Sequence, residues 1–346
     1  MSSDRKRSRR QGRIRRRLAP RLHPELLGDE VRDFLGRLDR TLEDLAGGEG
    51  APPGFEPQHL IHPEFSRIRP FLVYCAARTV MVDTKDNSHL VQDDETEHVA
   101  MAAELLHLAV LLHDAALGRQ GGRRRRAARR IIGGAMDMLG ANHLTLRALE
   151  LARLSPKPEI IGDLLEAMRE ITESHVLAQR QAEDFPAPHQ TLTIAEGRNG
   201  SIFSFSCRSG ARLGGGSRQQ INALGRYGRH TGIAWHMAED MAIVDASERE
   251  LAEILAERAQ NNHVGYIVSL AVEQNPSLLA AWKSLGQSGD SEEALVFAEA
   301  VKNTGAVQRG RQRLVNETWA AQRALQALPD NTHRAQLHRI VHDLAN

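Results

Sequence analysis

Two stretches of this chain place charged and imidazole side chains at spacings suited to gripping a polyphosphate. Glu104, His107, His113 and Asp114 fall in the run Glu-Leu-Leu-His-Leu-Ala-Val-Leu-Leu-His-Asp, and the cluster Arg123-Arg124-Arg125-Arg126 follows a glycine-flanked interval. On a helix, His107 and Asp114 are two turns apart and share a face. Arginine suits phosphate oxygens because its planar fork makes paired, charge-assisted hydrogen bonds. Any one of these features alone fits a buried helix with a satisfied histidine, or a solvated charge run. Their order is what points to one site: Ser66-Arg67-Ile68-Arg69-Pro70 comes before them, and Tyr227-Gly228 through His236, Glu239 and Asp240 comes well after.

The elements that must position these residues read as helices. Val31, Phe34, Leu35, Leu38 and Leu42 recur at three- and four-residue steps within 30–45, and a loop rich in Gly and Pro follows at 47–54. A second helix starts near Pro70. A third runs over about 97–112 with Ala103, Leu106, Ala109, Val110 and His113 on one stripe, and Gly118 to Gly122 ends it. Further helical patterns cover 134–153, 160–180, 191–213, 219–245, 248–272, 292–304 and 312–327, with one more at the C-terminus. No strand alternation and no internal repeat is visible. The expected fold class is all-α, one helical domain over 23–346 behind a basic tail at 1–22.

Composition narrows the class further. Aromatic content of 4% with many Ala and Leu favours closely packed helices over a β-sandwich or barrel. Cys75 and Cys207 are the two cysteines, too few for a disulfide framework or a thiolate metal site. No stretch approaches the roughly 20 apolar residues of a membrane span, and no apolar segment follows the N-terminal charges as in a secretory signal. A cytoplasmic protein is the expectation. The net charge of +1 hides an asymmetry: residues 1–21 hold ten Lys/Arg and one Asp, leaving 35 basic and 43 acidic residues in the rest. Such a tail is expected to be disordered. It reads either as a solvated terminus or as a peripheral contact with an anionic membrane surface, and by itself it does not make a specific nucleic-acid binder.

Taken in register, these motifs resemble the trans-isoprenyl diphosphate synthase (polyprenyl synthetase) family. Its pattern runs GGKRxRP, ExxHxxxLxHDDxxD followed by RRG, a Lys-Thr pair, then YGxxxGxAFQxxDDxxD. The resemblance implies a helical bundle around a central cavity, with two aspartate-rich motifs facing each other and three Mg²⁺ ions holding an allylic diphosphate. It also implies a transfer reaction in which the departing diphosphate leaves a carbocation for the double bond of isopentenyl diphosphate, or for cyclisation in the related terpene synthases. Position by position, Arg67, Arg69 and His107 match the family's grip on isopentenyl diphosphate, Arg123 and Arg124 its grip on the allylic diphosphate, and Arg198-Asn199 its Lys-Thr pair.

The acidic half departs from the pattern. Asp114 is kept in the first aspartate motif, while Ala115 and Gly118 stand at its other two aspartate positions. Glu239 and Asp240 lead the second, which ends on Ile243, and His236 replaces the usual Gln. Mg²⁺ requires hard oxygen ligands in near-octahedral geometry, so Asp114, Glu239 and Asp240, the expected catalytic and metal-binding set, are sufficient for fewer ions than three. Val110 and Ala109, four and five places before Asp114, are small where bulky residues would close the family's cavity floor; either this leaves room for a prenyl chain of C15 or longer, or helix packing calls for small residues there. The leading expectation is an isoprenoid-diphosphate-utilising transferase with a reduced Mg²⁺ site. The alternative is a catalytically inactive homologue serving as a regulatory or heterodimer subunit of an active synthase. A homodimer or heterodimer is expected in either case.

Overall fold

A short, almost wholly buried helix at the centre of the molecule sets the architecture. The computed structural model describes residues 20, 22–47, 51–52, 67–81, 93–116, 133–180 and 184–345. The basic tail, the arginine run that includes Arg123 and Arg124, and Gly118 lie outside the described residues. A 3₁₀ turn at Pro24–Leu26 leads into α1 (Asp29–Gly47), whose Val31, Phe34, Leu38 and Leu42 turn inward as the three- and four-residue steps require. Next comes α2 (Ile68–Val80), buried on nearly every side. A helix apolar all round must lie in the interior, and α2 is covered by α1, by α3 (Asp93–Ala116), by α7 (Ser201–Leu213) and by the C-terminal α14 (Thr332–Ala345).

Around this axis stand α4 (Gly133–Arg153), which packs along α3, and α5 (Glu159–Arg180). Then follow α6 (Pro188–Ala195), a π-helical turn at Glu196–Gly200, and α7, which runs on without a break. Beyond them α8 (Arg218–Val244) crosses the bundle beside α7 and α13 (Ala306–Leu325). Ser217 caps α8: its hydroxyl accepts from the Gln220 N–H, and the Gln220 side chain accepts from the Ser217 N–H. The outer helices α9 (Glu248–Gln260), α10 (Tyr266–Gln274), α11 (Leu278–Ser288) and α12 (Ser291–Lys302) complete the order. The described residues contain helices and no strands, and none of these helices is long and apolar enough to cross a membrane.

The sequence pattern and the structure differ in three places. The stretch 248–272 is two helices, parted where Asn262 takes a left-handed backbone (φ 51°), which asparagine tolerates better than most residues. Helix α11 has no counterpart among the expected patterns. The stretch expected as a helix over 191–213 contains the π turn, where one extra residue per turn rotates the following side chains.

Two glycines of the Tyr227-Gly228-Arg-His-Thr-Gly232 run explain how closely α8 approaches its neighbours. A Cβ at Gly228 would lie 2.3 Å from the Phe203 carbonyl oxygen, and one at Gly232 would lie 2.5 Å from that of Asn199. Both obstacles are backbone and cannot swing aside. Tyr227, beside them, is fully buried and donates its hydroxyl to the Leu337 carbonyl at 2.8 Å, joining α8 to the C-terminal helix. Gly228→Ala is therefore expected to lower stability by about 2 kcal/mol or more through overpacking, read as a fall in the thermal midpoint. An unchanged midpoint would refute the close approach.

Candidate functional site

The first cluster forms where α2 begins. Arg67 and Arg69 are both buried, and both turn to Glu104 on α3, which is 0% exposed. Arg67 Nη1 donates to Glu104 Oε1 at 3.1 Å and its Nε to Asp39 Oδ1, on α1, at 2.6 Å. Arg69 Nη1 lies 3.6 Å from Glu104 Oε2. One carboxylate thus sits between two guanidinium groups, and three helices meet there. Burial works against both charges. For Arg67 the flanking carboxylates of Glu104 and Asp39 outweigh it, whereas Arg69 ends below its ordinary value. Arg69 also lies over the Phe203 ring at 5.5 Å, and its Nε has no hydrogen-bond partner among the described residues. His107, one turn after Glu104, is held far below its usual basicity by burial and by the charges of Arg69 and Arg67. It is neutral at pH 7, as a histidine beside two arginines should be.

The second cluster joins the end of α3 to the π turn. Asp114 Oδ1 accepts from Arg198 Nη2 and lies 3.3 Å from His175 Nε2 on α5. The His113 ring stands edge-on to His175 at 6.1 Å between centroids. The π turn is what aims Arg198 inward, and it is wedged in place: Gly197 abuts Ser174 and the Glu170 carbonyl, while Gly232 of α8 leaves room for Asn199.

The third cluster is at the end of α8. Asp240 Oδ1 accepts from Arg258 Nη1, on α9, at 2.7 Å, and its Oδ2 accepts from the Tyr266 N–H, at the start of α10, at 2.9 Å. Burial would raise this carboxyl, but the Arg258 and His236 charges and these hydrogen bonds hold it below the ordinary value. Gly265 makes the pair fit, since a Cβ there would come within 2.8 Å of Asp240 Oδ2. Glu239 behaves in the opposite way. Burial pushes it up to about 7 despite the attraction of Arg69, and its Oε1 accepts from Trp235 Nε1 at 3.2 Å. Burial lowers His236, and the charges of Arg258 and Arg198 add to that. Arg198, His236, Thr191, Asn262 and His263 line a small cleft beside this cluster.

Arg67, Arg69 and His107 therefore come together, with Glu239 in the field of Arg69 from α8. Asp114 and Arg198 come together as a pair. Asp114, Glu239 and Asp240 do not converge as a ligand set: among the described residues, no group of three His, Cys, Asp or Glu could hold a metal ion. Arginine takes one oxygen of Asp114 and one of Asp240, and the other oxygen of Asp240 accepts from the Tyr266 N–H, so the residues present do not fit a multi-metal cluster. Nor do nearby residues fill the gap. His230 is turned to Glu317 at 2.7 Å, and Asp245 is paired with Arg311, both on α13. Ala109 and Val110 are buried in the core. Asp39, His175 and Arg258, which complete the clusters, belong to no motif of the sequence. Of the cluster-forming residues outside the expected set, only Glu104 gave a signal, its three-residue spacing from His107.

The all-helical bundle is of the isoprenoid-synthase type of fold. Comparison with known proteins agrees. The family model described as "Polyprenyl synthetase" matches residues 57–303, and the chain belongs to that family. It is 24% identical over 307 residues to component 2 of a heptaprenyl diphosphate synthase from Geobacillus stearothermophilus, covering 88% of this chain and 93% of the relative. It is likewise 24% identical over 280 residues to the octaprenyl diphosphate synthase of Escherichia coli (strain K12), covering 80% and 84%. In fold it is similar to a polyprenyl synthase from Caulobacter crescentus crystallised with calcium and isoprenyl diphosphate, with a TM-score of 0.78 and 23% identity over 94% of this chain and 99% of that one.

The buried charges make two predictions. Glu104→Gln leaves two buried guanidinium groups without their shared carboxylate and is expected to cost about 3–5 kcal/mol, measured by urea unfolding. For Glu239, the folded carboxyl releases its proton near 7 and the unfolded one near 4.5. The folded state thus binds the extra proton between those values, and stability falls as pH rises through that window. Glu239→Gln removes this loss, so its stability relative to wild type is expected to increase from pH 5 to pH 7.5 and then level off. A difference that stays flat with pH would contradict the assignment.

Proposed function

We propose that this protein is an isoprenoid-diphosphate-utilising transferase that grips the diphosphate of its substrate through arginine and histidine. The observation that supports this most is the pair of buried arginines Arg67 and Arg69 beside half-buried His107, with an unpartnered Arg69 Nε; Arg198 and His236 line a separate small cleft. When an allylic diphosphate ionises, its C1–O bond breaks and the electron pair leaves with the diphosphate. Fixed guanidinium charges in a largely dry site stabilise that developing charge without reorganising. Neutral His107 can donate one N–H to a phosphate oxygen.

The test is calorimetric titration of farnesyl and geranylgeranyl diphosphate into the purified protein, followed by product analysis with labelled isopentenyl diphosphate. Saturable binding and a lengthened prenyl product are expected, and absence of binding by either diphosphate would reject the reading.

A second reading is favoured by a specific observation, the commitment of both Asp114 and Asp240 to arginine. In it the chain is a non-catalytic subunit that pairs with an active synthase, as the relative named as a synthase component suggests. Exposed Leu139 and Leu146 on α4, with Leu165 and Val176 on α5, offer apolar surface for a second subunit, a copy or a paralogue. Under this reading the chain alone yields no product, and co-expression with an intact-motif synthase from the same organism raises that synthase's turnover or changes its product length. Unchanged turnover and product would exclude it.

A further inference from the structure

We propose that Arg198 and Arg258 act as the built-in counter-cations of this site, so that it takes its oxyanion ligand without any divalent cation. The inference rests on the diphosphate reading for the nature of the ligand, but the cation claim stands on the ion pairs themselves. The carboxylates at the two helix ends are Asp114, at the end of α3, and Asp240, near the end of α8. Each is met from other elements: Asp114 Oδ1 accepts from Arg198 and has His175 Nε2 nearby at 3.3 Å, and Asp240 accepts from Arg258 and from the Tyr266 N–H. Asp240 is 3% exposed.

Charge and coordination both argue against an added ion. The two carboxylates and their two guanidinium groups sum to zero, and the third acid, Glu239, lies in the field of Arg69, so a dication at either pair meets no net negative charge to attract it. Mg²⁺ binds reluctantly without carboxylate oxygens in near-ideal geometry. The residue one turn after Glu239, Ile243, is an apolar core side chain and brings no further oxygen. An ion using Asp114 Oδ1 or Asp240 Oδ1 would have to displace a guanidinium, one carried by the packed π turn at Arg198 and one fitted into the space that Gly265 leaves for Arg258.

The same pairs leave donors for an anion. The Nε atoms of Arg198 and of Arg258 are buried and have no hydrogen-bond partner among the described residues, and Arg198 lines the cleft with His236. An oxyanion arriving there would find N–H donors already in place and not committed to other acceptors. Its binding should respond to ionic strength and not to Mg²⁺.

The experiment measures cation and anion binding separately on the full chain. Mn²⁺ is titrated while free Mn²⁺ is followed by electron paramagnetic resonance, against wild type, Arg198→Gln, Arg258→Gln and Asp114→Asn. Wild type is expected to show no saturable site at millimolar Mn²⁺. Arg198→Gln, which removes the guanidinium from Asp114, is expected to gain Mn²⁺ affinity by about tenfold or more, and to lose it again when combined with Asp114→Asn. A saturable site in wild type that Asp114→Asn abolishes would overturn the proposal even if the arginine variants fail to fold. Inorganic pyrophosphate is then titrated with EDTA and with Mg²⁺. Equal affinity in the two is expected, and binding that requires Mg²⁺ would overturn the proposal. Pyrophosphate that binds in neither condition rejects the diphosphate reading and the oxyanion half of the proposal, while the Mn²⁺ result still decides the counter-cation half.

Discussion

A buried carboxylate between two guanidinium groups constrains everything around it. Glu104 is fully enclosed, and the two arginines it holds enter from the start of α2, whose other residues are almost all apolar. Neither partner could be buried there alone, because an isolated charge in that interior would cost several kcal/mol. The pairing therefore dictates that α2 begins where it does, that α3 presents Glu104 toward it, and that α1 brings Asp39 to the remaining face of Arg67. Hydrophobic packing alone would allow α2 to slide or rotate against its neighbours. The charge pairs fix one arrangement, and the site is built on that arrangement.

From there the remaining charges divide between the helices in a consistent way. Each acidic residue near the site has a basic partner on a different element: Asp114 with Arg198, Asp240 with Arg258, Glu317 with His230, and Asp163 on α5 with Arg208 and Arg212 on α7. Such pairs add little net stability, since desolvation offsets most of the attraction. What they provide is register between helices that otherwise meet through small residues. Glu239 is the exception, and its upward-shifted carboxyl is what a partly buried acid without a hydrogen-bonded cation should show.

The fold was legible in the sequence because apolar periodicity and the order of motifs are local properties of the chain. The inward stripe of α1, the apolar run of α2 and the extent of α8 follow from residue spacing alone. The break at 261–265 was not legible, since Asn262 in a left-handed conformation leaves no mark on the apolar pattern. The site was legible by half. Arg67, Arg69, His107, Asp114, Glu239 and Asp240 could be singled out from spacing and resemblance, and the structure gathers the first three. What each acid touches could not be read. His175 and Arg258 lie 61 and 18 residues from the aspartates they meet, on helices whose relative rotation depends on a π turn and on single glycines.

That rotation separates an open acidic motif from a closed one. In a regular α-helix running through 191–213, the side chains at and beyond the π turn would point in different directions, because each π turn holds an extra residue. The turn is held by contacts on both sides, Gly197 against α5 and Gly232 against Asn199, and Arg229 reinforces it by bridging Glu170 on α5 and Glu196 within the turn. Arg198 is therefore not a mobile surface arginine that happens to rest near a carboxylate. Its backbone is fixed by close packing before its side chain meets Asp114. With the guanidinium placed by the fold in this way, the electrostatic balance of the site belongs to the folded chain itself, and a ligand must be recognised against charges that are already paired.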